Sequence, residues 1–393
     1  MSLNGELNIQ LNLAKQGEQL YLNKIDIDLA RPNLAQKMLV GQTPEQAIER
    51  ITQLMTVCQH AQTAAAKLAL GYQLTNEEII TIEYENIEQG FWRLVIDLPK
   101  LLDIELPLSV FIKLRQAIAQ QYKTTVIILA EQLFQQLCQL SANEFANLSN
   151  SELQHWLHQN NSPMASCLRK TSQLMPAVVD KKSTLLAALP EDALLATLGK
   201  LLQSDQCFHQ KPHLNMHSCE TGSLSIMQSH HLFSLLSTQG TVGRFVSRLL
   251  YIAQKINELS SKESSSRDSS NKPSRIPKEK PQTVESKNVQ SKKSITGSFS
   301  LEQNEDTGVR GFSLGWVQTA RGLLVHLANI QEGKISQYSI VAPTEWNFHP
   351  EGALSKTLIH SPFSSAELAE KTVKLAILAL DPCIEFNLGA AYA

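Results

Sequence analysis

The sequence predicts an α+β fold that is mainly helical, with a small N-terminal β-hairpin and further strand elements near the C-terminus. Residues 4–30 alternate between apolar and polar side chains on both sides of a turn at Gly17, which is typical of a hairpin. Residues 88–158 and 241–259 repeat apolar side chains at helical spacing. Residues 335–342 alternate again, which predicts a strand close to the end of the chain.

Composition favours a globular protein and excludes several function classes. The chain has 393 residues, 42% of them hydrophobic and 18% charged, which fits a well-packed core. A net charge of −2 gives no global field that would attract nucleic acid or an anionic membrane. No run of about 18 apolar residues predicts a membrane span, and the N-terminal sequence lacks the pattern of a signal peptide.

The number and spacing of the cysteines indicate the redox environment of the protein. Six cysteines in a chain of this length form neither a C-x-x-C pair nor a zinc-finger spacing, which favours a reducing environment. We therefore expect a cytoplasmic protein. The residues Cys207, His209, His213, His217 and Cys219 lie close together in the sequence. Their spacing fits no zinc module, so a loop with surface histidines is favoured over a metal site, and their role stays open.

The first elements can be placed from the residues that begin helices. The apolar alternation of the hairpin slips by one residue between Leu22 and Ile25. Thr43 then precedes Pro44, an N-cap followed by the residue best suited to the first helical position. A second helix is predicted over residues 62–70.

The middle of the chain is predicted to be helical and to end in an insertion. Pro99 and Pro107 predict a break, followed by one long helix over residues 109–140. Residues 241–259 form an amphipathic helix that packs in the core. Residues 260–298 are rich in Ser, Lys and Pro and have few large apolar side chains, which predicts disorder. A solvated insertion loop is favoured there over a docking or nucleic-acid tail.

Three short segments near the C-terminus carry chemistry. Arg321 precedes a glycine at the start of an apolar run that reads as helical, Pro343 and Thr344 follow the strand over 335–342, and Cys383 follows a proline that closes a helix. An Arg fork and a Thr hydroxyl are donors suited to small anionic ligands. A cysteine after such a turn can present a thiolate to a soft metal. Each segment alone is typical of a turn or a cap.

Taken in order, these segments resemble the C-terminal third of [NiFe]-hydrogenase large subunits. Those proteins carry an A-R-G segment, a strand that runs into P-T-x-W-N, and a terminal D-P-C-x-x-C-x-x-H. Here the matching segments are 320–322, 343–347 and 381–383. Phe386 stands where the second cysteine would be, and Gly389 stands where the histidine would be.

The same resemblance appears near the N-terminus. Large subunits have a G-x-x-P segment before R-I-C-G-x-C-x-x-x-H. Cys58 stands at the second cysteine of that motif, Met55 at the first, and Gln62 at the histidine. Gln36 stands at the glutamate that passes protons in active enzymes. A further segment, residues 220–224, resembles the E-T-G-P-L segment but lacks its proline.

The resemblance implies that the chain has no hydrogenase activity and no catalytic residues. A [NiFe] site uses four cysteine thiolates, and only Cys58 and Cys383 remain as candidate metal ligands. Two thiolates are too few to hold nickel in that geometry, so no nickel is expected. Gln36 cannot titrate, which closes the proton route.

The positions that surround the cyanide and carbonyl ligands of iron persist as Arg321, Pro343 and Thr344. In this respect the chain resembles the degenerate large-subunit-like assembly proteins of the HupK/HoxV type. The resemblance implies a maturation scaffold that transiently holds iron with its cyanide and carbonyl ligands. The implied partners are hydrogenase maturation proteins and the authentic hydrogenase large subunit. No nucleic acid is expected.

The hydrogenase-like motifs lie on both sides of the insertion. Residues 1–259 and 299–393 are therefore predicted to be two parts of one domain, from which residues 260–298 leave as a loop. Two alternatives stay open at this point: a metal-free structural paralogue whose cysteines are ordinary buried thiols, and a respiratory-complex-type subunit that acts through protein contacts.

Overall fold

The computed structural model describes residues 5–30, 34–176, 183–205, 207–269, 294–301 and 311–392. The predicted α+β, mainly helical architecture is confirmed. In the described part of the chain, none of the helices is long and apolar enough to cross a membrane.

The elements are named in chain order. The helices are α1 Leu34–Leu39, α2 Pro44–Leu54, α3 Gln59–Ala69, α4 Asn76–Trp92, α5 Leu98–Leu101, α6 Ser109–Ala119, α7 Lys123–Cys138, α8 Ala142–Ala146, α9 Asn150–Gln159, α10 Pro163–Leu174, α11 Asp192–Ser204, α12 Ser223–Ile226, α13 Phe233–Leu236, α14 Gly240–Ser269, α15 Pro343–Asn347, α16 Ala353–Leu358 and α17 Ala366–Leu380. The strands are β1 Glu6–Gln16, β2 Gln19–Ala30, β3 Thr184–Leu185, β4 His213–Leu214, β5 His217–Glu220, β6 Thr296–Leu301, β7 Phe312–Thr319, β8 Gly322–Gln331, β9 Lys334–Val341, β10 Pro362–Phe363 and β11 Phe386–Tyr392.

The N-terminal hairpin is the centre of a four-stranded sheet with the order β10-β2-β1-β11. The predicted slip in its alternation is a β-bulge, because Asn12 pairs with Lys24 while Leu13 pairs with Leu22. Strand β11 runs parallel to β1 from Leu7↔Phe386 to Leu13↔Tyr392. The segment that follows Cys383 is therefore held by the first strand of the chain.

A second sheet is an antiparallel meander with the order β6-β7-β8-β9. Helix α3 packs directly on β7 and β8. At the crossing, a Cβ atom on Gly315 would lie 2.1 Å from the carbonyl oxygen of Ala65 and 2.4 Å from the amide nitrogen of Ala69. Only glycine lets the helix backbone approach this closely, and this contact sets the position of Cys58 at the start of α3.

Helix α14 is the central core helix, as its apolar face predicts. It packs against several other helices, among them α4, α10 and α17. The largest apolar cluster combines Phe91 and Leu249 with Ala320 and Leu375, so residues from both sides of the 260–298 segment share one core.

Three expectations differ from the structure. The predicted boundaries of the disordered insertion, 260 and 298, are wrong, because α14 continues to Ser269 and β6 begins at Thr296. Residues 270–293 lie outside the described residues. The single helix over 109–140 is two helices, α6 and α7, because Gln121 adopts a left-handed φ of 54° and reverses the chain without a glycine or proline. The apolar run after Arg321 is not helical but is strand β8, buried on both faces.

Candidate functional site

Arg321 lies at the tip of a tight hairpin between β7 and β8. Thr319 pairs with Gly322, so Ala320 and Arg321 form a two-residue turn. The Thr319 hydroxyl accepts a hydrogen bond from the Arg321 amide at 3.1 Å and donates to the Gly322 carbonyl at 2.9 Å. Gly322 has a φ of 127°, and a Cβ atom there would lie 2.4 Å from Thr221 Cγ2. Both the backbone conformation and the available space therefore require glycine after the arginine.

Two neighbouring polar side chains hold this turn in place. Buried Asn86 accepts from the Ala320 amide at 2.8 Å and donates to the Gln318 carbonyl at 3.1 Å. The Thr221 hydroxyl accepts from the Leu323 amide at 2.9 Å. The position of the arginine is thus fixed from α4 and from the segment that follows β5.

The Arg321 guanidinium uses all three of its nitrogens on partners from distant parts of the chain. Nη1 donates to the Sγ atom of Cys58 at 2.9 Å, Nε to Asp381 Oδ1 at 3.1 Å, and Nη2 to Gln89 Oε1 at 2.8 Å. The residue is 4% exposed. This one side chain therefore joins the N-terminal cysteine motif to the C-terminal motif.

Cys58 lies immediately before α3 in a left-handed conformation, with a φ of 53°. The carboxylate of Glu85 accepts from the amides of His60 at 3.1 Å and Ala61 at 3.0 Å, which satisfies the first turn of α3. Although part of the residue is accessible, its thiol is desolvated, and burial raises the pKa of Cys58 to about 12 against the opposing effect of Arg321. Without a bound metal, Cys58 is a protonated thiol at neutral pH.

Cys383 pairs with Thr344. The Thr344 Oγ1 atom lies 2.9 Å from Cys383 Sγ and accepts from the Cys383 amide at 3.1 Å. Thr344 is fully buried, because it lies in the first turn of α15, which begins at Pro343. The predicted P-T segment thus fixes both the backbone and the sulfur of the C-terminal cysteine.

Asp381 connects the two halves of the site. It ends α17 with a left-handed φ of 56° and is 1% exposed. Its carboxylate accepts from Arg93 Nε at 2.5 Å, from Arg321 Nε at 3.1 Å and from Arg248 Nη1. These three guanidiniums outweigh the desolvation of the carboxylate and hold the pKa of Asp381 well below its usual range. Arg93 also donates to the Pro382 carbonyl at 2.6 Å, which secures the turn before Cys383.

The structure therefore brings together all five site residues that the sequence suggested: Cys58, Arg321, Pro343, Thr344 and Cys383. It adds residues that the sequence analysis did not include in the site: Glu85, Asn86, Gln89, Arg93 and Arg248. For Arg248 a signal existed, because this charged residue lies among the apolar positions of α14. The other four, which lie in α4 and in the turn that follows it, could be found only from tertiary packing.

The replaced motif positions have become ordinary structural residues. Phe386 begins β11 and packs against the apolar core. Gly389 lies further along β11 and pairs with Gln10 of β1. Met55 ends α2 beside a small apolar cluster. Gln36 is an exposed residue of α1, whereas the carboxylate that raises the pKa of Cys58 from nearby belongs to the buried residue Glu85.

Gln62 belongs to a separate buried network. Its Oε1 atom lies 2.8 Å from His326 Nε2, and His326 Nδ1 lies 2.8 Å from the Tyr338 hydroxyl. Burial lowers the pKa of His326 to about 3, so the ring is neutral at physiological pH. This network links α3, β8 and β9 through neutral hydrogen bonds and supports the helix that carries Cys58.

Within the ranges that the structure describes, no group of three or more His, Cys, Asp or Glu side chains is arranged to hold a metal ion. Cys207 is exposed, whereas the buried Cys219 directs its thiol to the carbonyl of His217 at 3.6 Å. A metal on Cys58 and Cys383 would therefore find no third His, Cys, Asp or Glu ligand among the described residues.

Comparison with known proteins identifies the same relationship. A family model described as "Nickel-dependent hydrogenase" matches residues 196–386, just under half of the chain. The chain is 41% identical over 86 residues to the hydrogenase expression/formation protein HoxV of Cupriavidus necator, which covers 21% of this chain and 22% of that protein. It is 40% identical over 80 residues to HupK of Rhizobium leguminosarum bv. viciae, covering 20% and 22%. The matched segments thus span only about a fifth of either protein.

Solved structures show the fold along almost the whole chain. The Ni-Fe-Se hydrogenase from D. vulgaris Hildenborough matches with a TM-score of 0.51 and 14% identity, covering 94% of both chains. The enzyme from Desulfomicrobium baculatum matches with a TM-score of 0.51 and 13% identity, covering 94% of this chain and 95% of that one. The predicted hydrogenase large-subunit-like fold is confirmed. The predicted resemblance to the HupK/HoxV type is confirmed for the matched segments.

Proposed function

We propose that this protein is a non-catalytic assembly factor in hydrogenase maturation and that it carries an iron–cyanide–carbonyl unit as its cargo. The role in maturation is supported by the names of the similar proteins, which are hydrogenase expression/formation proteins. The single observation that supports the cargo is the arrangement of the site: Arg321 donates to the sulfur of Cys58 while its partner Asp381 begins the turn that presents Cys383.

The donor set fits iron that already carries small ligands. Two cysteine sulfurs are soft ligands for iron, and two positions leave most of the coordination sphere to cyanide and carbonyl. Arg321 donates to the sulfur of Cys58, and the Thr344 hydroxyl contacts the sulfur of Cys383. The same donors can turn to the nitrogen atoms of cyanide, since hydrogen bonds from a guanidinium to an anionic acceptor are strong. The iron unit would supply its own strong-field ligands, and the protein would supply thiolates and hydrogen bonds.

The replaced positions support a role without catalysis. Phe386 puts an apolar ring where a thiolate would bridge two metals, and it is held there by pairing with Leu7. Met55 offers only a thioether, and Gln36 lies exposed on α1. A chain with these residues can hold iron at two cysteines but lacks the second pair of thiolates that nickel needs.

The proposed partners are the maturation proteins that build the iron unit and the authentic hydrogenase large subunit that receives it. A carrier and an acceptor of the same fold present similar surfaces, so one delivery partner can recognise both. We place this exchange in the cytoplasm, where thiols stay reduced; all six cysteines are free thiols in the structure.

A second candidate, a metal-free structural paralogue, is favoured by one observation. Every nitrogen of the Arg321 guanidinium already has a protein partner, and the Thr344 hydroxyl already contacts Cys383. The site is therefore closed by its own hydrogen bonds. In that case the motifs would serve only to join α3, the β7–β8 turn and the end of α17.

The deciding experiment is infrared spectroscopy and iron analysis on protein purified without oxygen from cells that also express hydrogenase maturation proteins. We expect bands of metal-bound cyanide and carbonyl and about one iron per chain. Cys383→Ser should remove both, whereas the matched control Cys207→Ser, at an exposed cysteine, should keep them. A spectrum without such bands in the wild-type protein would support the metal-free alternative. Equal iron content in both variants would remove Cys383 from the site.

A further inference from the structure

A small, largely enclosed cavity lies beside Arg244, Arg248 and Arg321, among the segment after β5, the middle of α14 and the end of α17. Its volume is about 10 Å³, which is room for one water molecule or one ion of similar size. Its lining residues are Glu220, Thr221, Gly222, Ser223, Leu224, Arg244, Arg248, Arg321, Ala379 and Leu380. Most of these residues are therefore polar, and three of them are arginines.

Two hydrogen-bond donors of this lining have no protein partner. The Nε atom of Arg248 and the Oγ atom of Ser223 are both fully buried and unpaired. The residues themselves are 2% and 6% exposed. A buried N–H or O–H without an acceptor costs about 1–3 kcal/mol, so two of them beside one cavity indicate a missing acceptor rather than two separate defects.

Arginines around the cavity form a cluster in which they outnumber the carboxylates that are salt-bridged to them. The basic residues of the cluster are Arg93, Arg244, Arg248 and Arg321, and the acidic residues paired with them are Asp97, Asp381 and Glu220. Four guanidiniums thus share three salt-bridged carboxylates, and Glu85 attracts Arg321 from outside these salt bridges. Burial and the neighbouring guanidiniums lower the pKa of Arg248 despite its pairing with Asp381. The nearby carboxylate of Glu85 is bound to the amides of α3 and does not line the cavity.

We propose that this cavity is a binding site for one small monovalent anion no larger than chloride, held by Arg248 Nε and Ser223 Oγ. An anion accepts from both donors and also adds a negative charge beside the guanidiniums, whereas a water molecule does only the first. The anion stabilises the arginine cluster that holds Asp381 and Arg321. This inference does not rest on the proposed cargo, because the cavity is lined by neither cysteine.

The first test is diffraction from crystals of the full chain grown in sodium chloride, at a long wavelength where chlorine scatters anomalously. The expected result is an anomalous peak within hydrogen-bond distance of Arg248 Nε and Ser223 Oγ. Density of a single water without anomalous signal would overturn the proposal.

The second test is thermal unfolding in sodium chloride and in sodium gluconate at equal ionic strength, since gluconate is too large for the cavity. We expect Tm to be roughly 2 °C higher in chloride once its concentration is well above the dissociation constant. Ser223→Ala should lose this difference. The matched control Ser225→Ala, on the same short helix but bonded to the Gly222 carbonyl at 2.9 Å, should keep it. A difference that persists in Ser223→Ala would place the chloride effect elsewhere and overturn the proposal.

Discussion

The two sides of Cys383 are built in different ways. Before it, Asp381 is held by three arginines, from the turn that follows α4, from α14 and from the β7–β8 turn. After it, β11 is held by backbone pairing with β1 and by apolar packing of Phe386. The motif residues are retained on the charged side and replaced on the strand side.

The motif positions on the two sides differ in whether they can change without loss of the fold. Asp381 and Arg321 are tied to each other and to distant residues, so the replacement of one leaves a buried charge without a partner. Position 386 needs only an apolar side chain and a strand backbone, which phenylalanine supplies. The cysteine and the histidine of the motif can therefore be replaced in β11 without loss of the fold, and Cys58 and Cys383 stay in place.

The largest effect is expected from Asp381→Asn. This change leaves the buried guanidiniums of Arg248 and Arg321 and the partly buried guanidinium of Arg93 without their shared carboxylate, and we expect the free energy of unfolding to fall by about 3–5 kcal/mol. Urea unfolding measures it. The control Asp103→Asn removes an exposed partner of Lys371 and should leave the free energy of unfolding nearly unchanged. Similar losses in both variants would show that the arginine cluster does not depend on Asp381.

A smaller effect is expected where α3 crosses the sheet. Gly315→Ala puts a Cβ atom 2.1 Å from a backbone oxygen of α3, which cannot move by itself, so we expect a loss of about 3 kcal/mol. Gly389→Ala in β11 meets only the flexible end of Gln10, at 2.5 Å, and should change stability by less than about 1 kcal/mol. The same unfolding assay compares the two glycines. Equal losses of unfolding free energy in the two variants would contradict tighter backbone packing at the α3 crossing than at β11.

Phe386, the first residue of β11, tests how much apolar packing holds the strand after Cys383. Phe386→Ala removes a partly buried ring and should destabilise the protein by about 2 kcal/mol, below the loss for a fully buried phenylalanine. Phe386→Leu keeps most of the apolar contact and serves as the control. If the two variants unfold alike, Phe386 does not support the core, and its presence needs another explanation.

The smallest effect concerns pH. Because the folded pKa of Asp381 lies below its unfolded value, its contribution is fully present above the unfolded pKa and is lost as pH falls through the folded pKa. The difference in unfolding free energy between wild type and Asp381→Asn should therefore stay constant from about pH 7 to about pH 5 and shrink below about pH 4. Urea unfolding at each pH measures this difference. A gap that already closes near pH 6 would show that Asp381 is not held by the arginines.

Much of the site could be found from the sequence because the motifs keep their order and residue types. Cys58, Arg321, Thr344 and Cys383 were all identified from short segments, and the structure brings them together. Arg93 and Gln89 were missed, because a single polar residue on a helix gives no sign of the partner it meets hundreds of positions away.

By itself the sequence determined the local elements that depend on period and capping. These include the hairpin with its bulge near Asn23, the start of α2 at Pro44 and the strand before Pro343. The tertiary structure alone decided that the residues after Arg321 form a strand, since a short apolar run fits a buried strand as well as a helix. It also decided that Arg321 reaches both Cys58 and Asp381. Such contacts follow from the packing of α3 and α17 against one turn, and packing joins residues that no local pattern connects.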